Sequence, residues 1–301
     1  MVIVRARRPA LQAYYTASSV EEALAYLMAH RGEAQVVAGG TALMPVVQRG
    51  DCRARHLVDI SRVGALKRVA AEGAYLTLGG GLSFAALAQH EMVRRQAPLL
   101  QQAAEQMGTP AVRSLATLGG NLVSADGHAH GSVALLALEA EAEITNATGS
   151  QWLPARSLFV RPGLSRVDST SEIITALRIP TPTRASGAAL GSLAVGNGSE
   201  GYRRAPAVAA VTIALAADGL TIAHISAAIG RAGRIPQAVA DLGAAEVGGG
   251  ADDPALRQSF AEALVAQAAA DTADLAAALT NLALDVFDRA LAAARRAQGG
   301  P

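Results

Sequence analysis

The chain has 301 residues, 51% hydrophobic, 17% charged and only 3% aromatic, with a formal net charge of +1. That balance excludes a disordered chain and gives no electrostatic reason for a nucleic-acid partner. It leaves room for two domains whose cores must be built mainly from Ala, Leu and Val. The only cysteine, Cys52, excludes an internal disulfide and a four-cysteine iron–sulfur cluster, so a reducing, cytoplasmic setting is expected.

In chain order, Arg5, Arg7 and Arg8 are not followed by an apolar stretch, so no leader is expected. The segment TASSVEEALAYLMAHR (16–31) sets Glu21 and Glu22 three positions after Ser18 and Ser19, the capping-box spacing. Val20, Ala23, Leu24 and Leu27 continue as an apolar helical stripe. AQVVAG predicts a strand ending at Gly39-Gly40, and HLVDI (56–60) and AYLTLGG (74–80) predict two more. Ser83 can cap the helix FAALAQH, and a longer helix is predicted from Pro98 to Met107. A strand ending at Leu118 is expected to lead into ATLGGNLVSADGHAHG (116–131). VALLALEAEAEI (133–144) reads as a helix running into a strand, and EIITALRIP (172–180) as a strand stopped by Pro180 and Pro182.

PTPTRASG (180–187) marks a boundary between a first domain over 1–182, with subdomains near 1–60 and 61–182, and a second over 187–301. The second reads as three strands followed by two helices, about 254–270 and 272–297, the first opened by the cap pair Asp253-Pro254. This is an α+β pattern. The longest apolar run, 205–217, contains Pro206 and falls short of the ~20 residues of a membrane span, so no membrane segment is expected.

Two stretches share one design. VVAGGTAL (Val36, Val37, Ala38, Gly39, Gly40, Thr41, Ala42, Leu43) and TLGGN (Thr117, Leu118, Gly119, Gly120, Asn121) both read as a strand, a glycine pair and a small polar residue. Paired glycines let successive amides face outward as a nest for phosphate oxygens, and Thr41, Thr117 and Asn121 would add side-chain donors. Two nests on one crevice would suit a diphosphate, with Arg113 helping by charge or by bracing the loop. Either glycine pair alone also reads as a plain tight turn. LGGGLSF (78–84) departs from a dinucleotide fingerprint because Phe84 stands at the third glycine, and no GxxxxGK[ST] phosphate loop occurs.

The order of these motifs resembles the FAD-binding subunit, or medium chain, of molybdenum hydroxylases of the carbon monoxide dehydrogenase and xanthine dehydrogenase type. The likeness runs over nearly the whole chain through YYTASSVEEALAYL, VVAGGTALMPVVQRG, HLVDIS, PAVRSLATLGGNLVSAD, ALLALEAEAEI and EIITALRIP. The resemblance implies two α/β subdomains forming an FAD-binding unit of the vanillyl-alcohol-oxidase/PCMH type, then a small α+β C-terminal domain with a three-stranded sheet and helices. It also implies FAD held by Val36 to Leu43 and Thr117 to Asn121, with Ile174 on the apolar wall of the flavin site. Electrons would come from the [2Fe–2S] clusters of a small subunit, in a complex with a molybdopterin-binding large subunit, and pass to an external acceptor.

Departures from the family pattern are informative. Ala42 stands where the family has an acid after GGT, and His130 stands at the aspartate that ends its ASPASD loop, with Gly127 replacing the proline. Arg203-Arg204 are present without a preceding lysine. Backbone phosphate contacts survive, while side-chain contacts nearer the flavin ring have changed. Asp126, His128 and His130 alternate and would share one side of an extended loop. That leaves open a metal set, a covalent link to the flavin, a donor or tuned acid–base group, and simple solvated histidines. A stand-alone enzyme with His128 and His130 as acid–base candidates, and a cofactor-free scaffold, are the alternatives to an electron-transfer subunit. Tyr14 and Tyr15 are expected to pack at the entrance to the first helix, Tyr202 beside Arg203 could pack or face the flavin, and Trp152 should anchor a core or interface.

Overall fold

The computed structural model describes residues 11–182, 185–193, 207–240, 242 and 247–299. Tyr202, Arg203 and Arg204 lie outside the described residues.

The chain begins with β1 (Ala13–Thr16), α1 (Val20–Ala29), β2 (Ala34–Val37), α2 (Leu43–Gln48) and β3 (His56–Asp59). The strands pair in parallel in the order β1-β3-β2. Of the two Ser–Glu spacings the structure uses the second: Ser19 Oγ accepts the Glu22 amide at 3.1 Å, while the Glu22 carboxylate reaches back to the Ser18 amide at 2.7 Å. Ala23, Leu24 and Leu27 turn inward onto Ala17, Val58 and Ile60, the burial the stripe predicted. Tyr15 stacks on Tyr26 with ring centroids 4.2 Å apart.

Next come β4 (Val69–Glu72) and β5 (Tyr75–Gly79), followed by six helices: α3 (Phe84–Gln89), α4 (Glu91–Gln96), α5 (Pro98–Gln106), α6 (Pro110–Leu115), α7 (Leu118–Val123) and α8 (His130–Ala137). The chain returns through β6 (Glu141–Asn146), β7 (Gly149–Pro154), the hairpin of β8 (Phe159–Arg161) and β9 (Leu164–Ser165), and β10 (Ile173–Pro180). An antiparallel sheet forms in the order β4-β5-β10-β6-β7. Leu76, Leu78, Ala142, Ile144, Leu177 and Ile179 put their side chains into the helical core. On the opposite face the Arg178 guanidinium lies 4.7 Å from the Tyr75 ring centroid and 4.5 Å from that of Trp152, so Trp152 anchors a cation–π stack.

The strand expected before Gly119 is absent, and two short helices stand there instead. Thr109 and Thr117 each accept an amide three residues on, from Val112 at 3.3 Å and from Gly120 at 3.2 Å, and Pro110 occupies the first helical turn. Only Thr117 keeps extended pairing, as a single bridge to Ser83. The capping threonines outweigh the low helix propensity of the glycines.

The third unit holds β11 (Ser186–Ser192), β12 (Ala207–Leu215), β13 (Ile222–Arg231) and β14 (Gln237–Ala238) in one antiparallel sheet, then α9 (Pro254–Ala268) and α10 (Ala273–Gln298). The three expected strands are joined by a two-residue fourth at the edge. Strand β12 is apolar at every position but Thr212, because both its faces are covered. Ala207, Ala209, Val211 and Ile213 meet the C-terminal helices, while Val208 and Ala210 join the core around α5 and α8. The second and third units therefore share one continuous core.

Candidate functional site

Gly39 and Gly40 follow the parallel strand β2 and lead into α2. Gly40 has φ +70°, which an L side chain rarely adopts, and Gly39 is pressed against the second unit. A Cβ added at Gly39 would lie 1.7 Å from the Leu115 carbonyl oxygen and 3.1 Å from the Ala116 nitrogen. The two glycine stretches are thus brought together across the junction between the first and second units.

Among the described residues, none of the amides of Gly39, Gly40, Thr41, Ala42 and Leu43 donates to a protein acceptor. The Gly40 carbonyl accepts the Met44 amide at 2.8 Å and starts the helix, yet Ala42 at the N-cap position supplies no side-chain bond. Five successive donors without protein acceptors, beside the N-terminus of α2, leave this turn able to hydrogen-bond an anion. Thr41 and Ala42 are exposed on it.

The second stretch is built differently. The Gly119 amide donates to the Gly80 carbonyl at 2.8 Å, and the Gly120 amide donates to Thr117 Oγ1 at 3.2 Å. Neither amide is turned toward the first loop's open donors, which corrects the expectation of a second nest of the same kind. Leu118 donates to the Leu82 carbonyl at 2.9 Å. What this stretch offers instead is Asn121, whose side chain is 8% exposed. Its Oδ1 accepts from Ser132 Oγ at 2.9 Å, and its Nδ2 donates to no protein acceptor among the described residues. That donor is not among the buried unpartnered atoms, so it keeps access to solvent and is free to serve a bound group.

Ile174 is buried, and its Cβ lies 3.3 Å from where a Cβ would stand at Gly119. Arg113 braces the preceding turn: its Nη1 donates to the carbonyls of Met107 and Gly108 at 3.3 and 2.9 Å.

The histidine loop is turned rather than extended. Ala125 has φ 45° and the Ala129 amide donates to the Asp126 carbonyl at 3.1 Å. Asp126 Oδ1 lies 2.9 Å from His128 Nδ1, an electrostatic approach rather than an aligned hydrogen bond, and 3.4 Å from the His128 amide, which donates to it. His130 instead enters the first turn of α8 and is 7% exposed. Burial, reinforced by the neighbouring His128, pushes its pKa down to about 4, against a hydrogen bond to the His128 backbone that acts the other way. No group of three or more metal-ligating side chains occurs among the described residues. The loop is wedged against the third unit: a Cβ at Gly127 would lie 2.1 Å from the carbonyls of both Arg231 and Arg234.

Sequence reasoning passed over two groups. Leu115 locks Gly39 with its carbonyl and leaves its side chain 57% exposed beside the open amides, a role no local signal marks. Gly80 takes the Gly119 amide, and the signal was present in the triple glycine 79–81. A Cβ at Gly79 would strike the Leu66 carbonyl and one at Gly80 the Ile174 carbonyl, each at 2.2 Å. Gly80 and Gly81 form the turn before α3, and that turn is also the seam joining α7 to the sheet.

A parallel βα unit ending in open amides, facing an antiparallel sheet with its helices, is an arrangement able to hydrogen-bond an anionic group where the first and second units meet. A family model for the FAD binding domain in molybdopterin dehydrogenase matches residues 8–182, and the chain belongs to that family. The chain is 32% identical over 176 residues to the 6-hydroxypseudooxynicotine dehydrogenase complex subunit alpha of Paenarthrobacter nicotinovorans, covering 58% of this chain and 59% of that protein. It is 26% identical over 257 residues to the carbon monoxide dehydrogenase medium chain of Afipia carboxidovorans, covering 85% and 87%. Among solved structures, a carbon monoxide dehydrogenase from Hydrogenophaga pseudoflava superposes with a TM-score of 0.85 over 95% of this chain and 99% of that one. At 24% identity this last likeness speaks for the fold. No helix of the described residues is long and apolar enough to cross a membrane.

Proposed function

We propose that this chain is the FAD-binding subunit of a molybdenum hydroxylase complex, receiving electrons from the [2Fe–2S] clusters of a small subunit and passing them to an external acceptor. A molybdopterin-binding large subunit would complete the assembly. The single observation that carries the reading is the run of open amides from Gly39 to Leu43 packed against Leu115 and Ala116. Those amides would hold the diphosphate, and Asn121 Nδ2 would donate to the cofactor from the facing wall. Val36, Val37 and Ala38 would shape the approach from β2, Thr117, Leu118, Gly119 and Gly120 would hold α7 in place, and Ile174 would back the flavin side. Bound there, FAD supplies a centre able to exchange electrons singly with one partner and in pairs with another.

The electrostatics fit a positioning role for His130. With a pKa near 4 the ring is neutral at physiological pH, so it offers a hydrogen bond without charge where relatives of the family pattern carry an acid. A group so depressed does not cycle protons at neutral pH, which argues against His130 as the acid–base residue of a stand-alone enzyme. His128, beside Asp126, is placed to stiffen the loop.

The test is to isolate the chain and measure flavin released on denaturation, then to isolate its complex and measure iron. One FAD per chain, lost in Gly39→Val, together with iron in the complex, is expected. Colourless wild-type protein that does not take up added FAD would defeat the reading.

A further inference from the structure

We propose that the hairpin formed by β8 and β9 is the docking surface for the electron-donating partner, and that it fits an acidic protein surface with an apolar centre. The inference rests on the subunit reading above and adds to it the place and chemistry of contact.

The segment 155–167, ARSLFVRPGLSRV, contains Arg156, Arg161 and Arg166 and no acidic residue. All three arginines are exposed. Arg156 lies close enough to Glu139 to help lower that carboxylate's pKa, whereas neither Arg161 nor Arg166 has an ion pair among the described residues. Between them stand two apolar side chains turned outward, Val160 at 56% and Leu164 at 41% exposure. Their exposure is built in rather than incidental. The ladder pairs Phe159 with Ser165 and Arg161 with Leu164, so Val160 is the extra residue of a bulge and is thrown outward. Phe159 is buried behind it, and Ser165 Oγ donates to the Leu158 carbonyl at 3.0 Å, so the hairpin is held rigidly from below.

Its position supplies the functional link. At the tip, Gly163 donates its amide to the Ala125 carbonyl at 3.1 Å, in the loop that runs directly into His130. A partner seated on Val160 and Leu164 would stand against the histidine loop. Unneutralised arginines around an apolar centre favour a partner rimmed with Asp and Glu, because paired charges steer encounter while the apolar centre supplies contact.

The experiment uses the complex isolated through a tag on the full chain, with iron and FAD measured per chain. Wild type is expected to carry iron, and Arg161→Glu/Arg166→Glu to lose at least nine-tenths of it while keeping FAD and thermal midpoint. Val160→Asp should reproduce the loss, and the charge reversal Arg62→Glu, at an exposed turn of the first unit, should not. Raising salt should release iron-bearing partner from wild type, as expected for an interface steered by exposed charge. If the double variant or Val160→Asp keeps the full iron complement, or Arg62→Glu loses as much, the surface is wrongly assigned and the subunit reading stands. If wild type holds FAD but no iron, the subunit reading falls and this surface with it.

Discussion

Gly39-Gly40 and Gly119-Gly120 are near-copies as sequence and opposites as structure. The first pair leaves its amides open and spends its lack of side chain on a close approach to Leu115. The second pair begins a helix, and its amides are already bonded to Gly80 and Thr117. The lesson is that a glycine pair marks a place where backbone comes close to something, without saying whether that something is a ligand or the protein itself. In this chain the first pair leaves donors open and the second braces α7.

The strongest way to break the comparison is at Gly39. Replacing it with valine forces a Cβ to within 1.7 Å of the Leu115 oxygen, so either the junction opens or the loop turns over. A loss of about 3 kcal/mol or more is expected, together with loss of FAD, read by thermal unfolding and flavin fluorescence. Gly64→Ala, which meets nothing within 4 Å, is the control.

On the closed side, His130 predicts an acid-sensitive stability. Its pKa is depressed in the folded protein, from 6.5 to about 4, so the unfolded chain binds the proton first. The contribution is whole above pH 6.5 and is lost as pH falls toward 4, amounting to roughly 3 kcal/mol across that window. His130→Gln should flatten urea-denaturation stability over that window, and an unchanged slope would show that the ring is not held neutral by burial.

Gly119→Ala should cost less than Gly39→Val. Its Cβ would meet the Gly80 oxygen at 3.0 Å and Ile174 at 3.3 Å, contacts relieved by small shifts. A loss of about 1 kcal/mol is expected, with FAD affinity changed little, because this amide faces the protein. An affinity loss as large as that of Gly39→Val would erase the distinction between the two loops.

The smallest effect is expected at the far end of α8, where Glu139 and His224 Nε2 lie 2.9 Å apart. Their hydrogen bond, opposed by burial, lowers the Glu139 pKa and raises that of His224. The carboxylate's share is present above its ordinary 4.5 and lost as pH falls through the lowered value. The imidazole's share is present below 6.5 and lost as pH rises through the raised value. Both groups are about half exposed, so His224→Gln should cost no more than a few tenths of a kcal/mol, greatest between those two pH values.

Much of this protein was written locally. Ser19 and Glu22 cap α1, Asp253 and Pro254 open α9, and the alternation in β12 divides between two cores, all by rules acting within a few residues. The glycine pairs, the helix-to-strand passage after His130 and the apolar strand at Ile174 were legible for the same reason. The fate of each glycine amide was not, because it depends on which backbone arrives from elsewhere in the chain: Leu115 against Gly39, Gly80 against Gly119, Arg231 and Arg234 against Gly127. The burial of His130 is likewise a tertiary outcome, at the end of a loop wedged against the third unit at Gly127, which no spacing of histidines encodes. Short-range order follows from propensity and caps, whereas burial, pKa and the openness of a donor are properties of what the fold sets opposite them.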